Sequence, residues 1–540
     1  MTARQSASLA PDPLLESAEL ARQRRLLERL EQGWIAQGRK PQRFETHVSW
    51  VFVVGALAYK FKKAVRFDVL DYSTLARRHA CCERELRLNR GFAPSLYLDL
   101  VAVTGDPEQP QIGGSGEALE YAVAMRAFPQ QAMWSARLQA GTLERGEIDA
   151  LALRLAQLHR AAAVAPSSSA WGTPARIAAA GRQDLATLTE LLATGWATPA
   201  ARAQADMLTR WHAERTPPAA MLARRRAERR IRACHGDLHS ANILTLDGKV
   251  ELFDCIEFND ALRWIDVLDD LAFVLMDLRY HGRGELAARL LGRYLEASGD
   301  YGGLVVLEYY QIMRAVARCK VWLLRAHEAT AGVDAMRQNA LRYLALAAAG
   351  ITRRGALLLM HGYAGSGKSF CAGALAEALG GVRIRSDVER KRLKGLAASD
   401  HAASPVRLGI YDETATRATY ARLLRLAASA AAAGLPVVVD AAFLQGWQRR
   451  RFAALALRLG VPYFVVDVQT TGPVMLSRLA ERHEHPDDAS DAGEQILAYQ
   501  LMSSQPLTTE ELTHTIVLDG AAAVQDSVAC VAQAAGLPLA

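Results

Sequence analysis

A glycine-rich segment in the last third of the chain constrains the fold more than any other feature. Gly362-Tyr-Ala-Gly-Ser-Gly-Lys-Ser369 fits the pattern G-x-x-x-x-G-K-[ST] in full. It follows the apolar run Leu357–Met360 and precedes a helical pattern that ends near Leu379. Such a loop turns backbone N–H groups toward phosphate oxygens and ends at a helix N-terminus, where the helix dipole favours anions. The segment therefore predicts a phosphate-binding loop between a strand and a helix.

The residues of this loop have distinct expected roles. Lys368 is expected to reach the terminal phosphates of ATP, and Ser369 to hold Mg²⁺. The remaining nucleotide-binding positions are predicted to be Gly362, Gly365, Ser366 and Gly367.

Further apolar runs after this loop predict an α/β domain with a parallel sheet. They lie at Val382–Ile384, Val437–Val439 and Tyr463–Val468, with helical patterns between them. An acid follows two of these runs, Asp387 and Asp440, at the strand ends where open sheets bind ligands. Asp387 is placed to accept a proton from a substrate hydroxyl, and Asp440 to order Mg²⁺ or bind substrate. Each can instead cap the helix or turn that follows.

Two arginines occupy one face of a later helical pattern. Arg478 and Arg482 are four residues apart and precede the loop 483–491. Such a pair can close over a transferring phosphoryl group and stabilise its charge. The alternative is a solvated basic face.

Together these residues resemble the small-molecule and polynucleotide kinases of the P-loop class, including zeta-toxin-like and gluconate-kinase-like members. The resemblance covers about residues 355–535. It implies that Asp387 is the catalytic base and that Arg478 and Arg482 are lid arginines. It also implies that Arg390 contacts the substrate.

A second motif lies earlier in the chain, at Cys234-His-Gly-Asp-Leu-His-Ser-Ala-Asn242. Two short apolar runs follow around Asp247-Gly248, a dipeptide typical of hairpins, and lead to Asp254. A loop of this kind presents a base and a metal ligand to one phosphate, and the hairpin brings back a second ligand.

This motif resembles the catalytic loop of aminoglycoside and choline phosphotransferases, which are relatives of protein kinases. The resemblance spans about residues 40–345. It implies that Asp237 accepts the hydroxyl proton of the acceptor and that Asn242 and Asp254 hold Mg²⁺.

The same family needs a phosphate-contacting lysine with a glutamate partner in its small lobe. Ala58-Tyr-Lys60 matches the lysine strand, and Glu85 on the next helix matches the partner. Lys62 lies on the same strand face as Lys60 and is the alternative. The turn Val54–Ala56 departs from the glycine-rich loop of protein kinases.

Strands followed by helices predict a bilobal α+β domain before the P-loop domain. The expected small lobe contains a hairpin of Trp50–Val54 and Leu57–Lys62, a helix at 73–91 and a loop at Gly105–Gly116. Residues 143–230 and 264–349 are expected to be mostly helical. The predicted organisation is a helical extension at 1–40, a kinase-like domain at 41–349 and a P-loop domain at 355–540.

The composition narrows the expected partners and compartment. The net charge of +7 is spread along the chain, which argues against a nucleic-acid ligand. Seven scattered cysteines, without a Cys-x-x-Cys pair, argue against a disulfide framework or a zinc site and for a reducing compartment. No run of about 18 apolar residues occurs, so we expect no membrane span and a cytoplasmic protein.

The two-domain order resembles bacterial fusions of an aminoglycoside-phosphotransferase-like kinase with a P-loop ATP-binding protein. We expect a tandem phosphotransferase that moves the γ-phosphoryl group of ATP to hydroxyl groups of small molecules. One alternative is a regulatory P-loop ATPase joined to a kinase-like binding module. Another is a polynucleotide 5′-hydroxyl kinase, for which a basic channel toward Asp387 would come from Arg383, Arg385, Arg390, Lys391 and Arg392. In the first domain, Arg314, Arg318, Lys320 and Arg325 suit either an anionic substrate or a solvated helix face.

Overall fold

The chain folds into a bilobal α+β domain followed by an α/β domain, as the sequence predicts. The computed structural model describes residues 18–67, 70–329, 331–351, 355–396, 412–482 and 494–540. None of the helices in these ranges is long and apolar enough to cross a membrane.

The small lobe is built on an antiparallel sheet of six strands in the order β1-β2-β3-β8-β6-β7. Its strands are β1 (Gln42–Glu45), β2 (Ser49–Val54), β3 (Leu57–Lys62), β6 (Tyr97–Asp106), β7 (Gln109–Ile112) and β8 (Glu120–Arg126), with β4 (Arg66–Phe67) and β5 (Leu70–Asp71) forming a separate pair. Its helices are α1 (Ala18–Ala36) and α2 (Leu75–Phe92). The predicted hairpin is confirmed as β2 and β3.

Helix α1 is part of the core of this lobe. Leu27, Leu30 and Trp34 are buried against the sheet, and the ring of Trp34 stacks on Tyr59 with centroids 5.7 Å apart. The structure thus packs residues 18–36 of the expected extension against the small lobe. Within the expected domain junction at 350–355, residues 352–354 lie outside the described residues.

One sequence expectation in this lobe is wrong. The segment Gly105–Gly116 was expected to be a loop because of its prolines, but β6 continues to Asp106 and pairs with β7. Pro110 lies opposite Gly105 in β7, which is an edge strand. An edge strand tolerates proline because the missing N–H need not donate to a neighbouring strand.

The large lobe is mainly helical. Its helices are α3 (Trp134–Ala140), α4 (Arg145–Ala161), α5 (Pro174–Ala193), α6 (Pro199–Arg215), α7 (Ala219–Ala227), α8 (Val267–Tyr280), α9 (Gly284–Ser298), α10 (Leu304–Glu328) and α11 (Val333–Gly350). Two antiparallel pairs carry the catalytic motif: β9 (Ile231–Ala233) with β12 (Trp264–Asp266), and β10 (Ile243–Leu246) with β11 (Lys249–Leu252). The second pair confirms the hairpin predicted at Asp247-Gly248.

The last domain is an α/β unit with a parallel five-stranded sheet in the order β14-β15-β13-β16-β17. Its strands are β13 (Ala356–His361), β14 (Val382–Arg385), β15 (Pro436–Asp440), β16 (Tyr463–Gln469) and β17 (Thr515–Asp519). Its helices are α12 (Lys368–Ala378), α13 (Ser386–Leu393), α14 (Glu413–Ala432), α15 (Gly446–Leu459), α16 (Gly472–Arg482), α17 (Glu494–Ser503), α18 (Thr509–Leu512) and α19 (Val524–Ala535). The central strand β13 is buried along its whole length.

The two domains share a hydrophobic core. Leu290, Leu291 and Tyr294 of α9 belong to the same buried cluster as Leu357 of β13 and Val382 of β14. Polar contacts border this core. Arg289 donates to Asp149 in the large lobe and to Glu377 of α12, each at 2.6 Å.

A buried arginine, Arg225, joins two carboxylates in the interior of the large lobe. Arg225 on α7 donates to both oxygens of Asp266 and of Asp300, at 2.6 to 2.9 Å, and all three side chains are buried. Burial of an unpaired carboxylate is costly because little water remains to solvate it.

We therefore expect Arg225→Leu to lower the free energy of unfolding of the first domain by about 3–5 kcal/mol. The neighbouring Arg224 is the matched control, since its side chain is 78% exposed and, among the described residues, pairs with Glu228 alone. Arg224→Leu should change stability by at most about 1 kcal/mol. Urea unfolding followed by circular dichroism measures both, and equal midpoints for the two variants would contradict the assignment.

Candidate active sites

The first site is centred on the loop between β9 and β10. Asn242 donates from its amide nitrogen to the carbonyl oxygen of Asp237 at 3.0 Å and to the Asp237 carboxylate at 3.1 Å. His239 lies 3.4 Å from the same carboxylate. The Asp237 side chain is 37% exposed, so an acceptor hydroxyl can reach it. The structure therefore brings together the base and one metal ligand of the sequence prediction.

This loop is fixed from behind by Asp270 of α8. Its two carboxylate oxygens accept hydrogen bonds from the backbone N–H groups of His235 at 3.0 Å and Gly236 at 2.9 Å. Gly236 has a φ of +87°, and a Cβ there would lie 2.7 Å from the carbonyl oxygen of Leu262. Only glycine meets both requirements, so the turn that presents Asp237 depends on this residue.

Asp254 lies where the chain leaves β11 and faces the small lobe. Lys60 forms ion pairs with Asp254 and with Glu85, the latter at 2.8 Å. Asp254 itself has a φ of +61°, and its N–H donates to the hydroxyl of Tyr97 at 3.0 Å. The structure thus gathers Lys60, Glu85 and Asp254 from both lobes at one point of the cleft.

Lys62 has a different environment from Lys60. Its ammonium group pairs with Glu85 and Glu257, and Tyr72 donates to Glu257 at 2.7 Å. The Lys62 side chain is 2% exposed, against 12% for Lys60. Of the two lysines, the structure places Lys60 at the carboxylate expected to hold Mg²⁺ and Lys62 in a buried cluster behind it.

The charges of this site stabilise one another. Burial opposes the ionised form of Glu85, but Lys60 and Lys62 outweigh it and lower its pKa to about 2. Burial would likewise raise the pKa of Asp237, yet the nearby His239 and Arg318 lower it. Both carboxylates are therefore ionised at neutral pH.

The second site is the glycine-rich loop between β13 and α12. Helix α12 begins at Lys368, directly after Gly367, so the helix N-terminus points at the loop. Gly365 has a φ of +80°, and a Cβ there would lie 2.5 Å from the carbonyl oxygen of Met475. The ammonium group of Lys368 donates to the carbonyl oxygen of Tyr363 at 3.2 Å. The loop has the strand, turn and helix that the motif requires.

Asp440 ends β15 beside this loop. Its carboxylate accepts from the hydroxyl of Ser369 at 3.0 Å and from the guanidinium of Arg383 at 2.5 and 3.0 Å. Although burial raises the pKa of Asp440, the charges of Arg383, Arg385 and Lys368 outweigh it and lower the pKa. The pairing of Ser369 with Asp440 is what the predicted Mg²⁺ site requires. The sequence does not predict the pairing of Arg383 with Asp440, because this pairing depends on the register between β14 and β15.

Asp387 lies in the first turn of α13, and Arg390 one turn later pairs with it at 3.2 Å. Both line a cavity of about 910 Å³ that also contains Lys368, Ser369 and Asp440. The lining also includes Tyr420 and Trp447, whose rings are 5.5 Å apart. The cavity is therefore large enough for the phosphates of a nucleotide and a small acceptor together.

Of the two predicted lid arginines, Arg478 and Arg482, the structure describes the side chain of Arg478. Arg478 lines the same cavity and donates to the carbonyl oxygen of Gly520 at 2.9 Å and to that of Ser366 at 3.3 Å. It thus braces the glycine-rich loop. The side chain of Arg482 and the loop 483–491 lie outside the described residues.

One contact at the loop has no signal in the sequence. Gln500 of α17 accepts a hydrogen bond from the N–H of Ala364 at 2.7 Å. Nearby, the hydroxyl of Tyr363 donates to Ser504 at 3.2 Å. These residues are far from the motif in sequence, and only the packing of α17 over the loop reveals them.

The donor sets of both sites fit Mg²⁺. This ion prefers hard oxygen ligands and retains several waters. In the first site the amide oxygen of Asn242 and the carboxylate of Asp254 are such donors, and Asp254 is 41% exposed. In the second site the donors are the hydroxyl of Ser369 and the carboxylate of Asp440.

Fold and sites together define a phosphotransferase-like domain joined to a P-loop kinase-like domain. Comparison with known families agrees. The phosphotransferase enzyme family (APH) matches residues 79–307, and the AAA domain family AAA_33 matches residues 357–507.

Curated proteins of Mycobacterium tuberculosis and Mycobacterium bovis are 30% identical to this chain over 451 residues. The alignment covers 83% of this chain and 87% of each relative. The chain belongs to the same family as these proteins.

Solved structures resemble each domain separately. A choline/ethanolamine kinase family protein from Mesorhizobium loti is 14% identical, with a TM-score of 0.35, and the match covers 61% of this chain and 99% of that chain. A gluconokinase from Sinorhizobium meliloti is 23% identical, with a TM-score of 0.25, and the match covers 34% of this chain and 95% of that chain.

Substitution of Lys60 and of Lys62 should have different effects, because the two ammonium groups lie in different environments. Lys60→Met should weaken ATP binding to the first domain about tenfold to hundredfold, because charge-assisted contacts to phosphate are lost. Lys62→Met should instead destabilise the domain by about 3–5 kcal/mol, because Glu257 loses its buried cation. Calorimetric ATP titration and thermal unfolding, both in a Lys368→Ala background, separate the two effects. Unchanged stability with lost ATP binding in Lys62→Met would reverse the assignment.

Proposed function

We propose that the chain is a tandem ATP-dependent phosphotransferase, in which each domain transfers the γ-phosphoryl group of ATP to a hydroxyl group of a small molecule. The observation that carries this proposal is the ion pair between Lys60 and Asp254, which are 194 residues apart in the sequence. It joins the phosphate-contacting lysine of one lobe to the expected metal ligand of the other. Asp237 and Asn242 lie in the segment directly before the hairpin that carries Asp254.

In the first domain, Lys60 contacts the phosphates of ATP, and Glu85 holds its ammonium group in place. Bound Mg²⁺ supplies neutralisation of the β- and γ-phosphate oxygens. Asp237 orients the acceptor hydroxyl and accepts its proton as the new oxygen–phosphorus bond forms. The bond between the γ-phosphorus and its bridging oxygen breaks, and ADP leaves with the electron pair.

In the second domain, the N–H groups of the glycine-rich loop and Lys368 bind the phosphates. Asp387 accepts the hydroxyl proton of the acceptor, and the same bonds form and break. Arg478 keeps the loop in shape through its backbone carbonyl oxygens. Arg390 lies beside Asp387, where it can contact the acceptor once the ion pair opens.

Three of the cations near Asp387 support a small acceptor over a polynucleotide. Arg383 pairs with Asp440, Arg390 with Asp387, and Arg392 with Glu389. A channel for a nucleic-acid backbone needs cations that are available to phosphates along its length. In this domain the three arginines instead form ion pairs with acids of the protein.

The test of the first domain is Asp237→Asn. In the full chain carrying Lys368→Ala, this variant should reduce labelled-phosphate transfer from γ-labelled ATP by about 10²-fold or more, since proton acceptance is lost. ATP binding should persist. Asp247→Asn is the matched control, because that side chain is 65% exposed in the adjoining hairpin. Undiminished transfer by Asp237→Asn would exclude it as the base.

The test of the second domain is Lys368→Ala in a chain that carries Asp237→Asn. Loss of the charge at the terminal phosphates should reduce nucleotide turnover by this domain at least about tenfold. Lys394→Ala, at an exposed position after α13, is the control. The acceptors are supplied as a fractionated bacterial small-molecule extract. If the only product is free phosphate, and Lys368→Ala alone abolishes it, the chain is a regulatory ATPase and the tandem proposal fails.

A further inference from the structure

The acceptor side of the first domain is bordered by one helix with a stripe of arginines. Arg314, Arg318 and Arg325 are spaced by four and seven residues on α10, which places them on one helix face. At a rise of about 1.5 Å per residue, the stripe extends about 16 Å. It begins at the loop that carries Asp237 and ends close to the small lobe, where Glu328 pairs with His47.

Arg314 anchors the stripe to the catalytic loop. Its guanidinium donates to the carbonyl oxygen of Gly236 at 3.3 Å and pairs with Asp269 at 2.7 Å. It also lies 4.9 Å from the ring of Phe273, which packs against His239 with centroids 5.5 Å apart. The charge of Arg314 is therefore balanced by Asp269. The contact of Arg314 with Gly236 places this part of α10 next to Asp237.

Arg318 is one turn further along and forms no ion pair among the described residues. Burial opposes its charge, but Tyr343, Asp237 and Asp277 outweigh burial and raise the pKa of Arg318. Its guanidinium lies 5.7 Å from the ring of Tyr343, whose hydroxyl donates to Asp277 at 3.4 Å. Asp277 in turn accepts from the N–H of Ser240 in the catalytic loop, at 2.8 Å. The Nε atom of Arg318 is buried without a hydrogen-bond partner, and the described part of the chain offers no carboxylate at ion-pair distance.

Arg325 is two turns beyond Arg318, close to the small lobe. It lies 5.3 Å from the ring of Trp322, and its Nε is also buried without a hydrogen-bond partner. The nearby Glu328 is paired with His47 of the small lobe at 3.6 Å. Burial and the charge of Arg318 lower the pKa of Arg325, and the charges of Asp237 and Glu328 offset this only in part.

Arg318 and Arg325 are partly buried and form no ion pair within the described residues, so the site favours an anion even though the charge of Asp237 acts on both guanidinium groups. Burial of an unpaired cation is unfavourable, and a bound oxyanion offsets that cost. Guanidinium is the side-chain group best suited to phosphate and carboxylate, because it donates two parallel hydrogen bonds. The nearby acids already accept hydrogen bonds or form ion pairs: Asp269 with Arg314, Asp277 with Ser240 and Tyr343, and Asp237 with Asn242.

We propose that the acceptor of the first domain is a small hydroxyl compound that carries a phosphate or carboxylate group, which Arg318 and Arg325 bind while its hydroxyl lies at Asp237. This inference rests on the proposed function of the first domain for the transfer step. It makes the acceptor an anion, in contrast to cationic acceptors such as aminoglycosides or choline.

The experiment uses the full chain carrying Lys368→Ala, so that only the first domain transfers. Matched pairs of acceptors are compared with γ-labelled ATP: glycerol with glycerol 3-phosphate, glucose with glucose 6-phosphate, and glycerol with glycerate. The phosphate and carboxylate arms distinguish the two anions. Choline and kanamycin are the cationic probes. We expect transfer to an anionic member of a pair and at least about a tenfold increase in its KM in Arg318→Gln and Arg325→Gln.

Three controls separate binding from structural damage. Arg325→Lys keeps the charge and should restore much of the affinity. Lys320→Gln removes a cation of α10 that pairs with Asp184 of α5, and it should leave KM unchanged. The KM for ATP should be the same in all variants that fold, as judged by circular dichroism.

A binding measurement keeps the inference separate from the proposed function. The thermal midpoint of the full chain is recorded with each probe, with and without Arg318→Gln and Arg325→Gln. Stabilisation by the anionic probes that the double variant abolishes, without any transfer, would support the anionic site and overturn the phosphotransferase proposal for this domain. Transfer only to neutral or cationic probes, unaffected by the double variant, would overturn the anionic acceptor and leave the phosphotransferase.

Discussion

The carboxylate of Asp270 is the constraint on which the first site depends. It holds the N–H groups of His235 and Gly236, and it also lies 3.2 Å from the imidazole of His159. These contacts outweigh the cost of burial and lower the pKa of Asp270, so the carboxylate stays ionised in the interior. Because both of its oxygens fix the backbone just before Asp237, the protein interior positions this proposed catalytic base before any ligand arrives. Such preorganisation is the main contribution a protein makes to phosphoryl transfer.

The parts of both sites that the sequence predicts are those whose partners are close along the chain. The glycine-rich loop and the run from Cys234 to Asn242 each hold their turn residues and ligands within nine or fewer positions. The spacing along the chain therefore predicts how these side chains are arranged in space. The fold class follows for a similar reason, since alternating strands and helices predict a parallel sheet. The strand predicted at Leu57–Lys62 correctly carries both lysines, but it does not distinguish them.

The features of the fold and of the sites that the sequence does not predict depend on contacts between distant segments. Lys60 and Lys62 point the same way from β3, and only the placement of Asp254 and Glu257 after β11 separates their environments. The pairing of Arg383 with Asp440 likewise depends on which strands are neighbours in the sheet. The hairpin formed by β6 and β7 was missed because proline is a poor strand former in general but acceptable at an edge.

The two sites share one structural element, helix α9. One side of α9 carries Tyr294, whose hydroxyl lies 2.9 Å from His159, and His159 contacts the Asp270 that fixes the first catalytic loop. Its other contacts reach the second domain, where Arg392, shortly after Asp387, donates to the carbonyl oxygen of Glu296. Leu290 and Leu291 share a buried core with Val382, the first residue of the strand that leads to Asp387. Separation of the domains would expose this apolar surface to water, which is unfavourable in proportion to its area. The shared core therefore holds the two domains together as one folded unit, so a change in the position of α9 would act on the surroundings of both proposed bases, Asp237 and Asp387.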